Sequence, residues 1–322
     1  MTAAIRPVLT YFMALQDELC EAFEAMDGTA SFSREELPGP NGGLARPRVL
    51  ADGPNIEKAA VQFTHGFGDA LPPAATGRNP ELAGRGFQAA SISVIVHPRN
   101  PYAPTTHMNL RFFLVDGGEV EDGGEPASRG TPLSQAGQPA WYFGGGFDLT
   151  PYYAFEEDCI HWHRVARQAA GTRYAAFKAA CDQYFHLPHR DECRGIGGLF
   201  FDDWSEGGFE SSLTLVRSIG DAFLHAYRPI FERRAATPFG DRQRQWQLYR
   251  RGRYVEFNLA IDRGTRYGLQ SGRRVESVLA SLPPVATWRY GHIPEPGSDE
   301  AELISCIRRP RAWLSAVDNS GD

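Results

Sequence analysis

Residues 91–113, SISVIVHPRNPYAPTTHMNLRFF, constrain the fold more than any other stretch, because they read as two strands that each carry polar side chains along one face. Strand side chains alternate sides with a period of two. In the first run Ser91, Ser93, Ile95 and His97 share a face, with Ile92, Val94 and Val96 opposite. In the second, Thr105, His107, Asn109, Arg111 and Phe113 share a face, with Thr106, Met108, Leu110 and Phe112 opposite. Pro98, Pro101 and Pro104 fall in the connector, and proline donates nothing to a ladder, so the link is irregular. Two such rows on rigid elements predict one pocket lined by hydroxyls, an amide, imidazoles and a guanidinium. The competing reading is an ordinary antiparallel sheet with one face in water.

The 322 residues, 42% of them hydrophobic, are enough for a sizeable core. A net charge of −6 argues against a nucleic-acid or anionic-membrane partner, so an anionic substrate would have to be met by locally concentrated arginine. Lys58 and Lys178 are the only lysines among 33 basic residues, which makes any single arginine a weak pointer to a site. Cys20, Cys159, Cys181, Cys193 and Cys306 form no C-x-x-C pattern, disfavouring zinc ribbons and sulfur-ligated iron clusters and favouring a reducing compartment. No apolar span reaches the ~18 residues of a membrane helix, and the N-terminal run, broken by Gln16, Asp17 and Glu18, is unlike a secretory or transit segment. A cytoplasmic protein is expected.

Taken in order, Val8, Leu9, Phe12, Leu15, Leu19 and Phe23 recur at helical spacing and predict an amphipathic first helix ending before Asp27. Residues 31–62 read as successive antiparallel strands, and residues 65–86 as a loop. Residues 116–139, rich in glycine and proline, are expected to be a mobile surface loop. Trp141 to Phe143 read as a strand, and Gly144 to Gly146 admit close approach of another backbone, a helix or a ligand. No G-K-[ST] follows, so a phosphate loop is disfavoured. Helices are predicted over 155–169, 174–185, 209–234 and 241–251, a short strand ending in Asp202 and Asp203, and a further strand over 254–261. His161 and His163 are two apart on a helix and point about 200° apart, so only one of them faces a given pocket. With no repeat and no clear linker, the prediction is one α+β domain over residues 1–322.

Chemistry is concentrated in His97 and His107 on the hairpin, His163 and His189 near helices, the Asp202–Asp203 pair, and an arginine-rich turn near residue 272. Together these offer cations for carboxylates, a carboxylate for N–H groups, and imidazoles for proton transfer or metal ligation. Each histidine alone is more often structural, and an aspartate pair at a strand end is as often a turn or cap.

The runs SISVIVHPRNPYAPTTHMNLRFF, WYFGGGFDLTPYYAFEEDCIHWHR, HRDECRGIGGLFFDDW and QLYRRGRYVEFNLAIDRGTRYGLQSGRRVESVLASLPP resemble the oxygen-dependent coproporphyrinogen III oxidases of haem biosynthesis. The likeness extends from the first helix to the neighbourhood of Trp313. It implies oxidative decarboxylation of two propionates of coproporphyrinogen III to vinyl groups, with O2 consumed and CO2 and hydrogen peroxide released, giving protoporphyrinogen IX. It also implies a homodimer of subunits with a large flat antiparallel sheet flanked by helices on both faces. Carried onto matching positions, Ser93, Asn109, Leu110, Arg111, Gly272, Arg273 and Arg274 would touch substrate, and His107 would be the proton donor. His97, His107, His163 and His189 match positions described as ligands of a divalent metal in bacterial members. Arg273 departs from the glycine common in relatives, and the 116–139 loop is longer than usual.

The residues agree on the chemistry. A tetracarboxylate substrate needs local arginines in an acidic protein, and Arg111 and Arg274 are candidates. Without cluster cysteines or a dinucleotide G-x-G-x-x-G there is no sign of an iron–sulfur, NAD or flavin group, which leaves O2 as electron acceptor. One of Asp202 and Asp203, beneath the macrocycle, would hold pyrrole N–H groups and stabilise developing positive charge. Residues 254–290 are expected to build the dimer contact. The same histidines also admit a metal hydrolase, and the same pocket a tetrapyrrole carrier without turnover.

Overall fold

Alternating side chains make the sheet. The computed structural model describes residues 5–70, 84–115, 140–270 and 274–314. Strands β1 (Ser33–Arg34), β2 (Leu37–Pro38), β3 (Leu44–Ala51), β4 (Ile56–Gly68), β5 (Phe87–Pro98), β6 (Thr105–Val115), β7 (Ala140–Thr150) and β10 (Gly197–Trp204) form one antiparallel sheet in the order β1-β3-β4-β5-β6-β7-β10, with β2 also on β3. A separate small ribbon pairs β8 (His186–Leu187) with β9 (Glu192–Cys193). The predicted hairpin is β5 and β6, in register with Ser91 opposite Arg111, Ser93 opposite Asn109 and Ile95 opposite His107. Both polar rows therefore lie on the same side of the sheet.

The opposite side is the main core. Met108, Leu110 and Phe112 of β6, Phe143 and Phe147 of β7 and Leu199 of β10 are all buried there. Helices α1 (Ile5–Asp27), α2 (Glu156–Ala170) and α4 (Gly208–Arg234) cover them. Burying each such aromatic or branched side chain contributes about 1.5–3 kcal/mol. α1 buries the residues that its periodicity marked, together with Gln16, whose amide donates to Arg46 O and Val61 O and so ties the helix to β3 and β4. Pro229 sits inside α4 without ending it.

The polar side is only partly covered. α3 (Tyr174–Tyr184), α5 (Asp241–Glu256), α6 (Arg263–Gln270) and α7 (Val275–Leu279) frame it, and α8 (Asp299–Arg308) closes the description near the C-terminus. The sheet is thus flat, antiparallel and packed against helices, an α+β arrangement.

One element differs from expectation. Residues 254–261 are not a strand: α5 continues through Glu256 and passes into a single π turn, Phe257–Ile261. The run alternates as well at three residues as at two, since Tyr254 and Phe257 are both buried, and Gly252, where a Cβ would come within 2.7 Å of Thr287 O, serves close packing without ending the helix. His65 to Gly68, expected in a loop, extend β4. The loop expected over 116–139 lies outside the described residues, as do Gly272 and Arg273 of the arginine-rich turn.

Candidate active site

The register across β4, β5, β6 and β7 stacks Gln62, Ser93, Asn109 and Gly146 in one row. The next row on one side holds Ser91, Arg111 and Gly144, and on the other Ile95, His107 and Asp148. The glycines are there for space. A Cβ at Gly144 would come within 2.7 Å of Arg111 Nη2, and one at Gly146, where φ is +141°, within 1.9 Å of Leu199 O. The triplet thus admits a guanidinium at one end and a neighbouring strand at the other, which is the close approach that its sequence predicts.

His107 and Asp148 form a directed pair. His107 Nδ1 lies 2.9 Å from Asp148 Oδ1, and Arg194 grips both oxygens of the same carboxylate at 2.7 and 2.8 Å. Burial by itself would raise the Asp148 pKa, but Arg194 and His107 outweigh it and hold the carboxyl below its usual range. An ionised carboxylate only accepts, so Nδ1 carries the proton and Nε2 is the nitrogen left for other partners. Arg194, itself buried, is enclosed by the rings of Phe185, Tyr254 and Phe257 at 4.2 to 4.7 Å.

Arg111, Asp202 and Arg263 form a second cluster. Arg111 Nη2 meets Asp202 Oδ1 at 2.5 Å, Arg263 Nη2 meets Oδ2 at 2.9 Å, and Arg111 Nη1 donates to Asn109 Oδ1 at 3.0 Å. One carboxylate thus lies between two guanidiniums, whose remaining N–H groups can donate to a second anion. Asp202 is aimed by an irregularity: the β7–β10 register shifts between Phe201 and Trp204, and Asp203 takes a left-handed backbone with φ of 51°. Bulges of this kind re-aim one side chain next to a site. Tyr184 stacks on Phe200 at 4.3 Å, giving the cluster an aromatic floor under Arg263 and Arg111. Asp262 accepts from Tyr184 Oη at 2.9 Å and from Thr265 N–H at 2.6 Å, capping the helix that Arg263 opens.

Of the residues picked out from sequence, Ser93, His107, Asn109, Arg111 and Asp202 share this face. Leu110 points to the core instead, where it is fully buried, so only its backbone is placed near the row. Arg274 stands away from Asp202, paired with Glu35 at 2.8 Å and Glu276 at 3.5 Å. Asp148, Arg194, Arg263 and the Tyr184–Phe200 stack complete the face and are not distinguishable by spacing along the chain.

The four histidines do not come together. His97 shares the sheet face of His107, but its ring nitrogens meet Thr105 Oγ1 at 3.1 Å and Ser281 O at 3.0 Å. His163 belongs to α2, on the core side of the sheet, with Nε2 3.0 Å from Ile196 O and Nδ1 2.9 Å from Tyr174 Oη. Burial first, and Lys178 second, bring its pKa down to about 3. His189, in the turn after β8, contacts Glu256 at 2.8 Å. Among the described residues no group of three or more His, Cys, Asp or Glu side chains is placed to hold a metal ion, so these donors do not fit one shared ion in this chain. Nor is any described helix long and apolar enough to cross a membrane.

A cationic clamp, an oriented imidazole and an aromatic floor on one sheet face suit a flat, carboxylate-bearing substrate. A family model described as coproporphyrinogen III oxidase matches residues 7–313. That match spans nearly the whole chain and every element that builds the pocket, so the chain belongs to the oxygen-dependent coproporphyrinogen III oxidase family, whose reaction is the oxidative decarboxylation that yields protoporphyrinogen IX in haem biosynthesis.

Proposed function

We propose that the face shared by His107, Asn109, Arg111 and Asp202 is where this chain carries out that reaction. The observation that supports it is the pair of clusters, His107–Asp148 and Arg111–Asp202–Arg263, on one side of β6, β7 and β10. Each propionate loses its carboxylate as CO2 and a hydride equivalent from the carbon next to the ring, leaving a vinyl group. O2 takes that electron pair and, with one further proton, becomes hydrogen peroxide. Arg111 and Arg263 bind the carboxylate. Asp202, relieved of one guanidinium when the propionate arrives, accepts pyrrole N–H groups and offsets positive charge that develops on the ring. His107, oriented through Nδ1 by Asp148, presents Nε2 for the proton transfers. Ser93 and Asn109 supply hydrogen bonds from the middle row, and the substrate contacts of Gly272, Arg273 and Arg274 are taken over from the resemblance.

No step is assigned to a divalent metal, because the implied ligands lie on two sides of the sheet and at its margin. We assign a homodimer contact to residues 254–290 and a cytoplasmic location. Incubating the purified protein with coproporphyrinogen III, in air and without O2, tests the reading. Vinyl products and CO2 should form only in air; turnover without O2 would point to a hydrolase, and binding without CO2 in either condition to a carrier. Either result sinks the assignment.

A further inference from the structure

Lys58 and His97 face one another across β4 and β5, and both reach the same short segment beyond the pocket. Lys58 Nζ donates to Leu282 O at 2.8 Å, and His97 Nε2 lies 3.0 Å from the adjacent carbonyl, Ser281 O. A carbonyl can only accept, so Nε2 carries the proton. The ring is fully buried and faces a hydroxyl, not a carboxylate, at Nδ1, where it keeps a lone pair. Thr105 Oγ1, at 3.1 Å, is then the donor to Nδ1, and it accepts from Tyr152 Oη at 2.6 Å. Tyr152 Oη accepts in turn from Arg251 Nε at 3.4 Å. Arginine has no acceptor, so every proton in the series points the same way, from Arg251 to Ser281. Arg251 is fixed by Glu57 at 2.7 Å and Pro98 O at 2.9 Å. With both nitrogens engaged, His97 has no lone pair left for a metal ion.

What the two side chains hold leads back to the clamp. Ser281 and Leu282 follow α7, and Ala280 between them and the helix is buried on Ala60, Ile95 and Tyr254 of the polar face. α7 leans on α6 through Val278, and the fit needs Gly268: a Cβ there would come within 2.8 Å of Val278 Cγ2. α6 opens with Arg263, which meets Asp202.

We propose that Lys58 and His97 are positioning residues that latch Ser281 and Leu282 to the sheet and, through α7 on α6, set Arg263 at Asp202. The latch rests on reading the Asp202 cluster as the substrate site, so the experiment separates the two. Four variants are compared by hydrogen exchange and by steady-state kinetics with coproporphyrinogen III: Lys58→Met, Lys58→Arg, His97→Phe and Arg263→Ala. Lys58→Met and His97→Phe should speed amide exchange in 263–270 and 274–282 while β6 and α1 keep their protection. Both should raise KM about tenfold, the change that 1.4 kcal/mol of lost binding produces, with a smaller change in kcat. Lys58→Arg, which retains a donor, should fall closer to the native protein than Lys58→Met. Unchanged exchange and KM in Lys58→Met overturn the latch even if His97→Phe fails to fold. So does Lys58→Arg behaving like Lys58→Met, and so does stoichiometric divalent metal in the native protein that His97→Phe removes. If Arg263→Ala leaves KM unaltered, the substrate site itself is misplaced, whatever the exchange data say of the latch.

Discussion

At the scale of residues, the proposed site divides binding from proton transfer. Arg111 donates two charge-assisted contacts, and truncating such a group costs on the order of 1.5–3 kcal/mol of affinity. Arg111→Ala should therefore raise KM, whereas His107→Ala, which leaves the clamp in place, should lower kcat by about 10² to 10⁴ with little change in affinity. Steady-state kinetics on the two folded variants checks the split, and near-native kcat in His107→Ala sinks the proton-transfer role. The aspartate pair can be separated in the same way. Asp203 has the left-handed backbone, and Asp202 meets Arg111 and Arg263. Aspartate and asparagine tolerate that backbone, while a β-branched residue pays roughly 1–2 kcal/mol for it. Asp203→Asn should keep stability and turnover, and Asp203→Val should lose both. Loss of turnover in a stable Asp203→Asn would make its carboxylate part of the chemistry.

At the scale of elements, what was legible in the sequence is what depends on local period. The two faces of β5 and β6 follow from alternation alone, and the covering face of α1 from helical spacing. Register between β6 and β7 does not, because residues 116–139 separate the strands, and so Asp148 opposite His107 has no signal along the chain. The four histidines show the same limit: spacing places His163 on a helix but cannot say which side of the sheet that helix covers. The 254–261 run failed for a different reason, since one spacing of apolar residues serves two periods. Its helical form has a use. It carries Glu256 to a corner where Arg190 donates twice, at 2.8 and 2.7 Å, His189 lies at 2.8 Å, and Trp288 Nε1 donates at 2.8 Å. Burial would raise the Glu256 pKa, but these donors bring it from the usual 4.5 to about 2. A carboxyl depressed on folding stabilises the folded state fully above its unfolded pKa and loses that contribution as pH falls through the folded value. The stability difference between the native protein and Glu256→Gln should thus be constant above pH 4.5 and vanish toward about pH 2. Denaturant titrations across that range measure it, and a difference independent of pH would show that Glu256 is not ionised in the corner.

At the scale of the whole molecule, the two sides of the sheet have separate duties: one is a sealed core, and the other carries the proposed pocket and latch. The rim of that second side is unusually apolar. Leu259, Leu269, Val275, Val285, Trp288 and Tyr290 are exposed, and Phe239 and Ile293 are the only other exposed large hydrophobics among the described residues. Aromatic and arginine side chains are the types that interface centres favour, and Arg190, Arg253 and Arg289 lie beside Trp288 and Tyr290. The proposed homodimer contact over 254–290 does not depend on a strand at 254–261. The π turn presents Leu259 outward, 47% exposed, at the point where α5 hands over to α6. A second copy of the chain seated there would bury Leu259 without disturbing Phe257, whose ring belongs to the inner cluster with Phe185. Leu259→Glu places a charge in the proposed contact and leaves the monomer's core untouched, so on this reading the native protein sediments as a dimer and the variant as a folded monomer. A dimer that survives the substitution would place the contact elsewhere. A monomer whose KM also rises would mean that dimerisation helps to hold α6, and with it Arg263, against Asp202.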